Sequence, residues 1–192
     1  IFFRMGRMLA VHPEQNRLET SNGSIHYDYL VIATGCVPNF FGIKDIEKYA
    51  WPMADVRDSL RIRNTMFYNL ERAMIAPTDT DRQTMLNIVI VGGGASGVEI
   101  AGAMAEMRRY IDIALMHIYL IEGRDRLLAN MSSKTSAGCL QVLKEKGVEV
   151  LLGISVTDYR DNQVYCSDGR VIRTANLIWT SGVKSEVIRG IE

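Results

Sequence analysis

Residues Asn87–Gly102, NIVIVGGGASGVEIAG, read as strand, glycine turn and helix, and the rest of the chain takes its place around them. Ile88–Val91 is an unbroken β-branched run, the pattern of a strand buried on both faces of a parallel sheet. Three glycines follow at once. Gly92 permits a tight turn, Gly94 lets the backbone approach a diphosphate, and Gly97 lets helix and strand pack closely, with Ala101 keeping that contact small. The free amides and positive dipole of the new helix suit a diphosphate. A second strand, Ile118–Ile121, ends in Glu122, about 25 residues beyond Gly97. A carboxylate there accepts hydrogen bonds from both adenosine ribose hydroxyls and repels a 2′-phosphate. The phosphate loop of nucleoside triphosphatases is excluded, because no Lys-Ser/Thr follows the glycines.

The chain has 192 residues, 47% apolar and 23% charged, the composition of a globular protein with one good core or two small ones. Lys plus Arg equals Asp plus Glu at 22 each, so nothing argues for nucleic acid or an anionic membrane surface as partner. No apolar run approaches the ~20 residues of a spanning helix, and no signal peptide opens the chain. Cys36, Cys139 and Cys166 form no CxxC or CxxxxC pair and read as buried or semi-buried thiols of a reducing compartment. His12, His26 and His117 lack metal-ligand spacing, so no metal site is expected.

Met8–Val11, Arg17–Thr20 and Ile25–Tyr29 read as short strands separated by the turn sequences PEQN and SNGS. Tyr29–Gly35, YLVIATG, reads as a buried strand ending in a tight turn, and Cys36–Ile43 as a connector. Asp55 is the expected N-cap of a helix whose inward positions are Val56, Leu60, Phe67, Leu70 and Met74 and which stops before Pro77. The polar stretch Thr78–Gln83 reads as a loop. After Glu122, Ser133–Lys146 is an expected helix with Leu140 and Leu143 inward and Gly147 as its stop, then Val148–Leu152 a third parallel strand. Ser155–Tyr159, Gln163–Cys166 and Val171–Arg173 form a meander, closed by Leu177–Thr180 and the turn TSGV.

The two meanders read as copies of one another. Asn16–Gly23 and Asn162–Gly169 have the same length, and each precedes an apolar strand ending in Thr-Gly or Thr-Ser-Gly, which makes Gly35 and Gly182 equivalent positions. The expected fold class is α/β: a Rossmann-like dinucleotide-binding domain, a parallel sheet with helices on both faces plus a small antiparallel meander, with part of a second, similar domain. The expected boundaries are 1–43 for the tail of the first domain, 44–182 for the second inserted in it, and 183–192 for the return segment. IFFRMGRMLAV begins as though already inside a domain, so the sequence is expected to be a fragment whose first glycine loop lies upstream of Ile1.

Nested dinucleotide domains of this kind resemble the flavin-dependent pyridine nucleotide-disulfide oxidoreductases. YDYLVIATGCVPNFFGI, the helix reading LRIRN, IVIVGGGASGVEIAG and LIWTSGV together are similar to type II NADH dehydrogenase, the single-subunit NADH:quinone oxidoreductase. The resemblance implies FAD in the first domain, NADH in the second, and a quinone as acceptor. Carried over, Gly92, Gly93, Gly94, Ala95, Ser96 and Gly97 hold the NADH diphosphate, Glu122 its ribose, and Gly182 lies near the nicotinamide. Ala33, Thr34 and Gly35 would face the FAD. Glu99 matches a family glutamate at the junction of nicotinamide, flavin and quinone site, the candidate catalytic residue. The resemblance also implies a peripheral protein on the cytoplasmic side of the membrane, held there by segments outside this sequence, with a homodimer allowed and this piece itself soluble.

Two features keep other readings open. A carboxylate on the first turns of a helix is stabilised by the dipole, which accounts for Glu99 without chemistry; a buried carboxylate beside a redox ring would instead relay a proton. The same motifs fit a soluble ferredoxin or coenzyme A disulfide reductase, or a non-catalytic module that reads NADH. The repeat and its flavin-facing turns argue against the last of these.

Overall fold

A computed structural model describes residues 2–110 and 115–191. The chain folds into two compact units, one made of residues 1–37 with 183–192 and the other of residues 38–182.

In the first unit Met8–His12 (β1), Arg17–Thr20 (β2) and Gly23–His26 (β3) form an antiparallel sheet in the order β1-β2-β3. Asn16, in the left-handed region at φ 45°, ends a 3-10 turn over Pro13–Gln15 and sets up the return into β2. Cys36–Pro38 (β4), expected as part of a connector, pairs with a strand over Val183–Ser185. The return segment is tied to β1 by the Val11 amide, which donates to Arg189 O at 2.9 Å.

The reading of Tyr29–Gly35 as a buried strand is corrected. Residues 30–35 belong to no strand, and Tyr29 is 93% and Val31 87% exposed. An apolar β-branched run becomes a strand only where a neighbour accepts its backbone hydrogen bonds, and none of the described residues does so here. The equivalent run in the second copy has a neighbour on each side.

The second unit starts with Lys44–Tyr49 (α1) and Trp51–Pro52 (β5), two elements with no sequence expectation. Val56–Met74 (α2) is capped as expected, the Asp55 side chain accepting from the Asp58 amide at 2.9 Å. Its inward face differs from the expected one. Ile62, Met66, Asn69 and Ala73 are buried, while Val56, Leu60, Phe67 and Met74 are exposed and only Leu70 packs against the core. Both sets recur at helical spacing; the stripe of Ile62, Met66, Asn69 and Ala73 is the one that meets the sheet.

Asp79–Leu86 (α3) replaces the expected loop at Thr78–Gln83. Thr78 caps it by accepting from the Asp81 amide at 3.0 Å, and Asp79 and Asp81 sit in its first turn where the dipole favours them. Those polar residues are cap chemistry rather than loop chemistry.

Ile88–Val91 (β6), Ala95–Tyr110 (α4), Ile118–Glu122 (β7), Ser133–Glu145 (α5) and Val148–Leu152 (β8) follow as expected. Ser132 caps α5 through the Thr135 amide, and Gly147 ends it at φ 75°. Val156–Arg160 (β9), Gln163–Cys166 (β10) and Val171–Arg173 (β11) form the second meander, and Asn176–Trp179 (β12) returns to the main sheet; β13 is Val183–Ser185. The main sheet runs β5-β12-β6-β7-β8 with every pairing parallel.

Strand alternation sorts its side chains into two cores. Ile88, Ile90, Ile118, Leu120 and Ile178 face α2, α4 and α5; Val89, Val91, Ile121, Leu177 and Trp179 face α1 and the meander. A side chain buried this completely contributes about 2 kcal/mol, so β6, with all four residues buried, anchors both cores. Residues 38–43, read from sequence as part of the first domain, belong with this unit: Trp179 Nε1 donates to Asn39 O at 2.9 Å, and Phe40 and Ile43 pack on the second core. Of the three free cysteines, Cys166 is buried there and Cys139 half-buried, as expected, whereas Cys36 is exposed.

Tyr159, 5% exposed, donates its hydroxyl to Thr174 O at 3.0 Å, and burial pushes its pKa up to about 12 from 10. The raised value favours the neutral phenol in the folded state. That preference is fully present below pH 10 and is lost as pH rises to 12, a penalty on the ionised form of roughly 2–3 kcal/mol. Unfolding measured from pH 8 to 12 is expected to show the stability advantage of the native chain over Tyr159→Phe shrinking above pH 10; a constant gap would contradict it.

Candidate functional site

The glycine loop is built from three constraints that exclude side chains. Gly92 stands at φ 113°, and a Cβ there would lie 2.7 Å from Thr180 Oγ1 and 2.9 Å from the Ser181 amide nitrogen. At Gly97 a Cβ would collide outright with Gly92 O, so the glycine is what allows α4 to begin directly against the loop. At Gly93 it would lie 2.7 Å from Leu127 Cδ2 and 2.9 Å from Glu122 Cβ. Gly94 is different: nothing stands within 4 Å of its Cβ position. That open space is the room a diphosphate requires to reach the backbone.

The first intrahelical bond of α4 runs from Val98 N to Gly94 O at 3.0 Å, so the amides of Ala95, Ser96 and Gly97 precede the helical ladder. The amides of Gly92 and Gly93 are already used. Gly92 N donates to Ile121 O at 2.8 Å, extending β6 along β7, and Gly93 N donates to Glu122 Oε2 at 2.5 Å. Glu122 Oε1 accepts from the Arg124 amide at 2.8 Å. The expected ribose carboxylate is therefore also a brace that joins the loop to the end of β7, and Gly93 serves that brace.

One cavity of about 500 Å³ gathers six of the eight residues expected to hold NADH, namely Gly92, Gly93, Gly94 and Ala95 of the loop, Glu122 at the end of β7, and Gly182 after β12, while Gly97 is not among its lining residues. Gly182 and Gly35 both stand at φ 78°, the shared turn conformation that the repeat demands. Ser96 and Glu99 are not part of this cavity. They line a neighbouring groove of about 360 Å³ with Asp55, Val56 and Ser59, and Glu99 is exposed rather than buried. Ala33, Thr34 and Gly35 are exposed in the other unit, in the segment that forms no strand.

Residues to which the sequence reading gives no role complete the cavity. Thr180 stitches the floor, its hydroxyl donating to Val91 O at 2.8 Å. Residues 128–131 form a wall held in place by the Leu128 amide, which donates to Gly93 O at 2.8 Å, and by Arg126, which donates to Ala129 O at 2.6 Å and Ser133 Oγ at 3.1 Å. Arg126 is thus committed to loop structure, whereas Arg124 lines the cavity itself. Phe41 closes the end beside Gly182. The sequence signal for Thr180 and Leu128 is weak because each acts through a contact with a distant part of the chain, Val91 and Gly93. Among the described residues, no helix is long and apolar enough to cross a membrane.

Residues 1–188 match the family model for pyridine nucleotide-disulphide oxidoreductases. The external alternative NAD(P)H-ubiquinone oxidoreductase B2, mitochondrial, of Arabidopsis thaliana is 31% identical over 183 residues, covering 85% of this chain and 31% of that protein. The type II NADH:quinone oxidoreductase Ndh of Mycobacterium tuberculosis is 30% identical over 171 residues, covering 83% of this chain and 37% of that one. The solved structure of NDH2 from Plasmodium falciparum in complex with NADH shares the fold, with a TM-score of 0.83 and 24% identity over 95% of this chain and 41% of its own. The chain thus spans about a third of the length of the two related sequences.

Proposed function

The chain belongs to the pyridine nucleotide-disulphide oxidoreductase family, and from that membership we propose that the unit of residues 38–182 binds NADH and serves a flavin-dependent NADH dehydrogenase that passes electrons to a quinone. The observation that carries the reading is the open space at Gly94, at the start of α4, in the same cavity as Glu122. The loop excludes side chains wherever the chain packs on itself and leaves room where a phosphate would stand.

Bound NADH supplies a hydride, and FAD in the whole protein would accept it. The residues of this chain bind and orient. The amides of Ala95, Ser96 and Gly97 and the dipole of α4 would neutralise the diphosphate. Glu122, already fixed by Gly93 and Arg124, would accept from the adenosine ribose without losing conformational freedom on binding. Gly182 leaves space at the far end for the nicotinamide. Glu99, one turn into α4, is the candidate for proton transfer, acting from the groove it shares with Asp55 and Ser96. The unit of residues 1–37 and 183–192 would belong to the flavin domain, with Ala33, Thr34 and Gly35 as flavin contacts. Those three residues are exposed.

Relatives named as NADH and NAD(P)H quinone oxidoreductases support the acceptor. A peripheral position on the cytoplasmic face of a membrane and a homodimer belong to the same proposal for the whole protein.

The test is dinucleotide choice. Glu122 would meet a 2′-phosphate with like charge, so calorimetric titration is expected to give tighter binding of NADH than of NADPH. Glu122→Gln removes the charge and leaves one acceptor oxygen where the carboxylate has two, so one arm of the brace to Gly93 and Arg124 is lost; both dinucleotides should bind more weakly, while the gap between them narrows roughly tenfold. Equal or tighter NADPH binding by the native chain would overturn the assignment of Glu122.

A further inference from the structure

We propose that Phe41 is the aromatic wall of the nicotinamide end of the cavity, a residue that positions the reactive ring. The inference rests on the NADH reading above and adds a binding residue beyond the glycine loop, Glu122 and Gly182.

Phe41 is 61% exposed, yet its conformation is tightly specified. Its φ is 52°, in the left-handed region that a bulky side chain seldom occupies. Strain of this kind persists only where surrounding contacts hold it, and it gathers at ligand sites. The holding contacts are specific. The Phe41 amide donates to Asn39 Oδ1 at 2.9 Å; the Asn39 amide donates to Gly182 O at 3.2 Å, and Asn39 O accepts from Trp179 Nε1 at 2.9 Å. The Phe41 ring stands edge-on to the Trp179 indole, with centroids 6.4 Å apart and planes at 61°. The result is an aromatic ring held at the cavity rather than in the core.

The position of that ring follows from the glycine beside it. A Cβ at Gly182 would lie 2.9 Å from Phe41 Cζ, so Phe41 and Gly182 occupy adjoining parts of one surface. Along the cavity, Glu122 marks the adenosine end and Gly94 with the start of α4 marks the diphosphate. The part left for the nicotinamide is bounded by Thr180, Ser181, Gly182 and Phe41. A flat, apolar ring there can stack on the flat heterocycle, restrict its rotation and exclude water from one of its faces.

The test separates the two ends of the ligand. The 192-residue chain is titrated calorimetrically with NADH and with ADP-ribose, which has the adenosine and diphosphate but no nicotinamide. Phe41→Asn removes the ring and keeps a residue that tolerates the left-handed backbone; Phe41→Trp keeps an aromatic face. We expect Phe41→Asn to weaken NADH roughly tenfold and to leave ADP-ribose within about twofold, while Phe41→Trp stays close to the native affinity for both. The emission change of bound NADH should be lost in Phe41→Asn and kept in Phe41→Trp. Equal weakening of both ligands, or no weakening of either, would overturn the role of Phe41 and leave the NADH reading standing. A native chain that binds neither ligand would overturn that reading and this inference with it.

Discussion

Replacing Gly97 by valine is expected to abolish measurable NADH binding and to destabilise the unit of residues 38–182. The added Cβ would collide with Gly92 O and would lie 2.8 Å from Thr180 Oγ1 and 3.0 Å from Gly92 C. These are not flexible side-chain ends. Gly92 is held by its own amide on Ile121 O, and Thr180 by its hydroxyl on Val91 O, both at 2.8 Å. The start of α4 must therefore move away from the loop. Overpacking of a well-filled site costs about 1–3 kcal/mol and sometimes more. The same displacement pulls the Ala95 amide, at the start of α4, away from the cavity, which would weaken NADH at least ~100-fold.

Gly94→Ala is the matching control. With nothing within 4 Å of that Cβ position, the methyl should leave the melting temperature nearly unchanged, yet it would occupy the space assigned to the diphosphate. Thermal unfolding and calorimetric titration of the two variants decide the matter. Native NADH affinity in Gly97→Val, or in Gly94→Ala, would show that the diphosphate does not bind at this loop.

The second large effect is expected at Asn176, at the opposite end of β12 from the cavity. This residue is 2% exposed. Nδ2 donates to Met85 O at 2.7 Å and Asn87 O at 2.9 Å, and Oδ1 accepts from Asn69 Nδ2 at 2.7 Å. Together these bonds join α2, the end of α3 and the start of β6 to the sheet. Leucine has a similar size but none of the polar atoms. In Asn176→Leu the Asn69 amide and Met85 carbonyl lose this buried partner, whereas Asn87 O keeps the Thr174 hydroxyl at 2.7 Å. Each buried group left unsatisfied costs about 1–3 kcal/mol, so a loss of roughly 3 kcal/mol or more is expected. Urea unfolding should show a lower midpoint with an unchanged slope. Asn69→Leu combined with Asn176→Leu should cost less than the two separate losses added, because the Asn69 amide is then no longer stranded. Additive losses would show that the pair is not coupled.

Neither residue of that pair stands out in the sequence, for the reason that also explains the other corrections. Local patterns report what a segment does with its own backbone. IVIV followed by GGGASG forces a strand, a turn and a helix start within a few residues, and the structure has them with the expected bounds. Gly35 and Gly182 share a turn conformation because the repeat is local in each copy. The Thr78 cap is equally local; its polar neighbours favour a loop reading although Thr-x-x-Asp carries a cap's chemistry.

Legible from local pattern alone were the parallel sheet around Ile88–Val91, the helices beginning after Asp55 and at Ser133, the two meanders, and the glycine loop with Glu122 at the end of the next strand. Each depends on φ, hydrogen bonding or alternation within a short stretch. Which face of α2 turns inward depended on packing, because Ile62 and Leu60 are equally apolar and the choice rests on what they meet. The tertiary structure alone left Tyr29–Gly35 without a strand while burying the matching Asn176–Trp179, since a strand is made by its neighbours' hydrogen bonds. It alone turned Glu122 into a brace for Gly93 and brought Phe41, about 140 residues away in the chain, against Gly182.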